Sequence, residues 1–146
     1  NQALADKVIE SNPFSGVRID LKSDKTKNRF IDADTATAIL DACPNQEWRV
    51  IFALGRFGGL RCPSEVLALR WNDIHWDRNR LKVRSTKTER YGKAERVVPL
   101  FSELRSELEM LWQMVEPGNK VPLSDFVIKN YRSTEANLRT QLLRIA

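Results

Sequence analysis

The feature that most constrains this 146-residue chain is a change of hydrophobic period after Asp73. Upstream of it, apolar residues recur at helical spacing. Downstream, Ile74 and Trp76 alternate with His75, and Leu81 and Val83 alternate with Arg80, Lys82 and Arg84. A period of two describes a strand with one buried face. Arg96-Val97-Val98-Pro99-Leu100 reads as a further short strand ending at proline. Helical spacing then returns with Leu104, Leu108, Leu111 and Trp112. The sequence therefore predicts an α+β fold, mainly helical, with a small three-stranded antiparallel sheet.

Local signals place the helices. Leu4 and Val8 lie four apart and predict a helix over residues 1–10, ended by Asn12-Pro13. The stretch Ser15 to Arg29 mixes Gly, Ser, Asp and Lys and reads as a linker. Asp32 or Asp34 is suited to cap a helix bearing Ala36, Ile39, Leu40 and Cys43, which Pro44 terminates. Gln46 to Phe57 is apolar over most of its surface, so it belongs at the centre of the core. Gly58-Gly59 closes it. A new helix is expected from Pro63, with Glu65 in its first turn and Val66, Leu67, Leu69 and Trp71 inside. Ser102 to Val115 is the next helix, Asp125 to Lys129 a short extended piece, and a last helix starts near Ser133.

Charge is distributed unevenly. The net charge is +5, yet the nineteen residues from Arg78 to Arg96 hold eight basic and two acidic side chains, while the rest of the chain nets −1. A local field of this kind points to a polyanionic partner, with nucleic acid foremost. The longest apolar stretch, Val50 to Leu54, is far short of a membrane span, and no signal-peptide pattern is present. Cys43 and Cys62 lack metal or redox spacing and read as free thiols in a reducing compartment. His75 has no second His or Cys at ligand spacing, so no metal site is expected.

Two basic residues combine charge with a special position. Arg61 follows a Gly-Gly helix end, where its planar fork suits two oxygens of a phosphate. The competing reading is a structural ion pair with Glu65. Lys87 sits where the basic strand enters its loop, by parity on the side of Leu81 and Val83. A lysine there can reach a phosphate and give a proton to a leaving oxygen. The competing reading is a solvated hairpin lysine.

The run Gly58-Gly59-Leu60-Arg61-Cys62-Pro63-Ser64-Glu65-Val66-Leu67-Ala68-Leu69-Arg70-Trp71-Asn72-Asp73-Ile74 resembles the first conserved box of the tyrosine recombinases, or phage-type integrases. Thr86-Lys87-Thr88, followed by Arg96-Val97-Val98-Pro99-Leu100, resembles that family's lysine hairpin, and Asn12-Pro13-Phe14 its link from core-binding to catalytic domain. The resemblance implies a metal-free enzyme, without cofactor, that cuts one strand of double-stranded DNA through a tyrosine joined to the 3′-phosphate. It assigns Arg61 to phosphate binding, Lys87 to protonation of the leaving 5′-oxygen, and Glu65 to bracing Arg61. Arg80, Lys82, Arg84, Arg90, Lys93 and Arg96 become expected DNA contacts. Residues 1–29 would be the end of a core-binding helix plus linker, and residues 30–146 the N-terminal part of a catalytic domain.

Two departures from the family pattern stand out. Glu65 lies four residues after Arg61, where the family usually has three. The second His-x-x-Arg box and the nucleophilic tyrosine are not found in their places. His75-Trp76-Asp77-Arg78 has the spacing but lies ahead of the lysine hairpin, and neither Tyr91 nor Tyr131 occupies the nucleophile's position. The chain starts with Asn1 and its last helix is uncapped, so it is expected to be cut from a longer parent. This chain alone is then expected to bind DNA without cleaving it. The parent would be a cytoplasmic, nucleoid-associated protein of bacterial or phage origin, a homotetramer on two DNA sites. The alternative is a non-catalytic DNA-binding module or decayed recombinase. A metal-dependent nuclease is disfavoured because no carboxylate cluster has ligand spacing.

Overall fold

The computed structural model describes residues 6–8, 10–11, 30–85, 94–115, 122–133 and 137–145. The chain divides into two units, residues 1–31 and 32–146. In the first, Asp6 and Lys7 form a turn with Lys7 at φ 55°, where a helix over residues 1–10 was expected.

The second unit begins with helix α1 (Ala33–Ala42). Its cap is Asp32, whose carboxylate accepts the Thr35 N–H at 2.7 Å. Helix α2 (Gln46–Arg56) follows, capped by Asn45, which accepts the Trp48 N–H at 3.1 Å. Trp48, Val50, Ile51, Phe52, Ala53 and Leu54 are all buried, so α2 is the central helix that its composition predicts. Burial of each large side chain contributes about 1.5–3 kcal/mol. Gly59 ends this segment at φ +61°, a left-handed conformation that glycine adopts freely. Gly58 has a different constraint: a Cβ there would lie 2.8 Å from the Leu54 carbonyl oxygen and 2.9 Å from Leu60 Cδ1.

The helix expected from Pro63 is instead a run of turns over residues 62–68. Glu65 and Val66 both donate their N–H to the Arg61 carbonyl, and Leu67 donates to Pro63, so no regular ladder propagates. The Glu65 carboxylate folds back to accept the Arg61 N–H at 2.9 Å. Val66, Leu69 and Trp71 are buried as their pattern predicts, with Leu67 half-buried.

A 3-10 turn (Trp71–Asp73) leads into the sheet. Strands β1 (Ile74–His75), β2 (Arg80–Arg84) and β3 (Glu95–Pro99) form an antiparallel meander in the order β1-β2-β3. A second 3-10 turn (Trp76–Arg78) and Asn79, at φ 49°, make the first corner. The register pairs Leu81 with Val98 and Val83 with Arg96 on the inner face, and Arg80 with Pro99, Lys82 with Val97 and Arg84 with Glu95 on the outer face.

Helix α3 (Ser102–Val115) packs on α2 through Leu104, Leu108 and Leu111. Between the two helices Glu107 is buried, accepting from Gln46 at 2.7 Å and from Arg49 at 2.8 and 2.9 Å. The extended piece expected at Asp125–Lys129 is a bridge between Phe126 and Arg70, flanked by Trp71 N–H to the Asp125 carbonyl and Val127 N–H to the Leu69 carbonyl. Helix α4 (Leu138–Ile145) starts later than Ser133, behind Asn137, whose side chain accepts the Thr140 N–H. No helix among the described residues is long and apolar enough to cross a membrane.

Candidate functional site

The site is built where the end of α2, the 62–68 turns and the ends of β2 and β3 meet. Arg61 follows the left-handed Gly59 and Leu60, which is buried in the core. The backbone of Arg61 is pinned by Glu65, and its side chain by two further bonds. Nη1 donates to Glu65 Oε1 at 3.1 Å and to Ser85 Oγ at 2.7 Å. The side chain stays 48% exposed, and its Nε and Nη2 have no partner among the described residues. A rigid arginine with two adjacent free donors is suited to two oxygens of one phosphate.

Glu65 is the centre of the cluster, with its side chain only 2% exposed. It reaches Arg61 despite the four-residue spacing, because the intervening residues form turns. Arg96 binds the same carboxylate at two points, Nη1 to Oε1 and Nη2 to Oε2, each at 2.7 Å. Arg96 Nη2 also donates to the Gly59 carbonyl at 3.1 Å. These partners hold the Glu65 carboxyl down at about 2. The largest cause is the Arg96 hydrogen bonding, which with the Arg61 N–H and a Ser85 hydrogen bond outweighs the upward push of burial. Arg96 is raised in turn, chiefly by its bonds to Glu65.

The expected DNA contacts fall into two groups. Arg80, Lys82 and Arg84 share the outer face of the sheet. Lys82 pairs with Glu95 at 2.9 Å, and Arg84 with the buried Asp73 at 2.7 Å. Arg80 is exposed and has no partner among the described residues. It lines a shallow cleft of about 440 Å³ together with His75, Arg78, Lys82, Glu95, Arg96 and Val97. Although Arg96 borders this cleft, its register places it with Val83 and its terminal nitrogens are committed to Glu65. Lys87, Arg90 and Lys93 lie outside the described residues, as does Tyr91.

Sequence reading alone missed three partners: Ser85 for Arg61, Arg96 for Glu65 and Asp73 for Arg84. Parity carried a signal for two of them. Ser85 continues the inward series Leu81, Val83, and Arg96 belongs to that face once the β2–β3 register is known. Tyr131 has a structural placement: its hydroxyl bonds Asn45 at 2.6 Å and its ring lies tilted on Trp48. Cys43 and Cys62 are free thiols, both raised by burial.

A family model described as the phage integrase family matches residues 29–145. No individual curated protein matches the sequence. Among solved structures, the fold is similar to a crystal structure of XerA recombinase, with a TM-score of 0.54 and 19% identity. The likeness covers 71% of this chain and 36% of that one, so the present chain spans about a third of that recombinase's length. At this identity the likeness concerns the fold.

Proposed function

Because this chain belongs to the phage integrase family, we propose that it is the N-terminal part of the catalytic domain of a site-specific tyrosine recombinase. In this reading Arg61 grips the phosphate that is cut. The charge that builds on the non-bridging oxygens as a tyrosine attacks is met by donors already fixed in place, which is the most effective form of electrostatic catalysis. Glu65 fixes those donors. Lys87 delivers a proton to the leaving 5′-oxygen. Arg80, Lys82 and Arg84, with Arg90 and Lys93, hold the flanking phosphates and set the register on the duplex.

The observation that carries the reading is the state of Arg61: pinned at its backbone and at Nη1, half exposed, with Nε and Nη2 free among the described residues. A purely structural arginine would spend more of its fork within the protein.

The parent supplies the His-x-x-Arg box and the nucleophile, assembles as a homotetramer on two DNA sites, and works in the cytoplasm on nucleoid or phage DNA. This chain alone binds duplex DNA and does not cut it. A nicked duplex that traps covalent intermediates tests this. The 146-residue chain should retain the DNA with no covalent adduct, while the parent should form one. An adduct mapped to Tyr91 or Tyr131 overturns the assignment, and so does a parent that forms none.

A further inference from the structure

Glu65 has two oxygens and room for about four hydrogen bonds. Arg61 takes one place on each oxygen and Arg96 takes another on each. The terminal torsion of a glutamate is intrinsically soft, with broad, roughly two-fold rotation. Arg61 and Arg96, each bound at both oxygens from opposite segments of the fold, together lock it. Arg96 also holds the Gly59 carbonyl, and so grips the turn that presents Arg61 as well as the anion that orients it.

We propose that Arg96 is a positioning residue for Arg61. It acts through Glu65 and the Gly59 carbonyl to fix the Arg61 guanidinium in the orientation that receives the phosphate, and it makes no DNA contact of its own. This rests on the reading of Arg61 as the phosphate-gripping residue. Arg96 borders the cleft lined by Arg78, Arg80 and Lys82, yet from its register position beside Val83 it directs both terminal nitrogens to Glu65 and the Gly59 carbonyl. Lysine cannot replace it fully, because a single ammonium lacks the planar fork that meets both carboxylate oxygens.

The test uses the intact recombinase with Arg96→Gln and Arg96→Lys. Cleavage at saturating nicked DNA should slow roughly ten- to a hundredfold in Arg96→Gln, the scale of a misplaced catalytic group. DNA affinity and its salt slope should stay unchanged, and Arg96→Lys should fall between wild type and Arg96→Gln. An unchanged rate overturns the proposal. So does a loss of affinity and salt slope with the saturated rate preserved, which is how a phosphate contact behaves. A second measurement needs no variant. Carbon NMR should show the Glu65 carboxyl of the DNA-free wild type titrating near 2, and titration in the ordinary carboxylate range overturns the coupling. Failure of the recombinase reading is distinguishable, because the wild type itself would cut no DNA. The positioning is then read from the Arg61 guanidinium nitrogen signals, which shift in Arg96→Lys if Arg96 sets them and stay in place if it does not.

Discussion

Arg96 and Glu65 face each other across the gap between β3 and the 62–68 turns, with both terminal nitrogens of the arginine 2.7 Å from the two carboxylate oxygens. A buried carboxylate is costly to hold unless it is fully paired, and here two arginines and a serine supply the partners. The same contacts that orient Arg61 therefore also keep the sheet joined to the helical part of the fold.

The first prediction is a pH dependence of stability. The folded Glu65 carboxyl sits at about 2, below the ordinary 4.5 that it recovers on unfolding. A depressed carboxyl contributes stability that is present above the unfolded value and lost as pH falls through the folded one. The contribution is about 3 kcal/mol at neutral pH. Urea denaturation of wild type and Glu65→Gln should show a stability difference that is largest above the ordinary carboxyl range and shrinks steadily toward pH ~2. A difference independent of pH would show that the carboxyl is not coupled to the fold.

The second prediction separates two adjacent glycines. Gly59→Ala meets no neighbouring atom but must hold φ +61°, at a cost of about 1–2 kcal/mol. Gly58→Ala places a Cβ 2.8 Å from the Leu54 carbonyl and 3.2 Å from Leu104 Cδ2, both within the core. Backbone must move there, so the loss should exceed that of Gly59→Ala and reach about 2–3 kcal/mol. Denaturant midpoints of the two variants at equal slope check the order. Equal losses would mean that the Gly58 site relaxes freely.

Legibility in the sequence followed physical range. Helices α1, α2 and α3 were readable because caps and apolar period are local: Asp32 sits at the start of α1, and the α2 residues are buried almost all round. The three-stranded meander was readable from the period of two after Asp73. The segment after Pro63 was not. It carries helix-start residues, and its Glu65 meets Arg96, thirty-one residues away, a contact invisible to local propensity. The site was half legible for the same reason. Arg61 could be picked out from its place after two glycines, whereas Ser85 and Arg96 join it only through the strand register.

The third prediction concerns the buried Glu107. It accepts from Gln46 and twice from Arg49, whose side chain is only 26% exposed. Glu107→Ala leaves a largely buried guanidinium without its carboxylate between α2 and α3, while the Gln46 amide keeps its bond to the residue-107 backbone carbonyl. The expected loss is about 2–4 kcal/mol, somewhat below that of a fully buried pair because Arg49 keeps its bond to the Leu40 carbonyl. Glu107→Gln preserves an acceptor and should lose less. Thermal and urea unfolding of both variants provide the measurement, and equal losses would point to the carboxylate charge, not a remaining acceptor, as what the site requires.

The last prediction divides the outer cationic face by what each residue is already bound to. Arg80 has no partner among the described residues and lines the cleft with His75, Arg78 and Lys82, so it is free to neutralise a phosphate. Each phosphate neutralised contributes about 0.9 to the slope of log affinity against log salt. Arg80→Ala should therefore reduce that slope by about 0.9 with little change in folding stability. Arg84 differs, because it closes an ion pair at 2.7 Å on the buried Asp73. Arg84→Ala leaves that carboxylate with the Arg70 N–H as its remaining hydrogen-bond donor, so its main effect should be on stability, by about 1–3 kcal/mol. Salt titrations of DNA binding, run beside urea unfolding of both variants, separate the two roles. A slope that falls equally in both, with stability intact, would show that Arg84 leaves Asp73 for the DNA backbone.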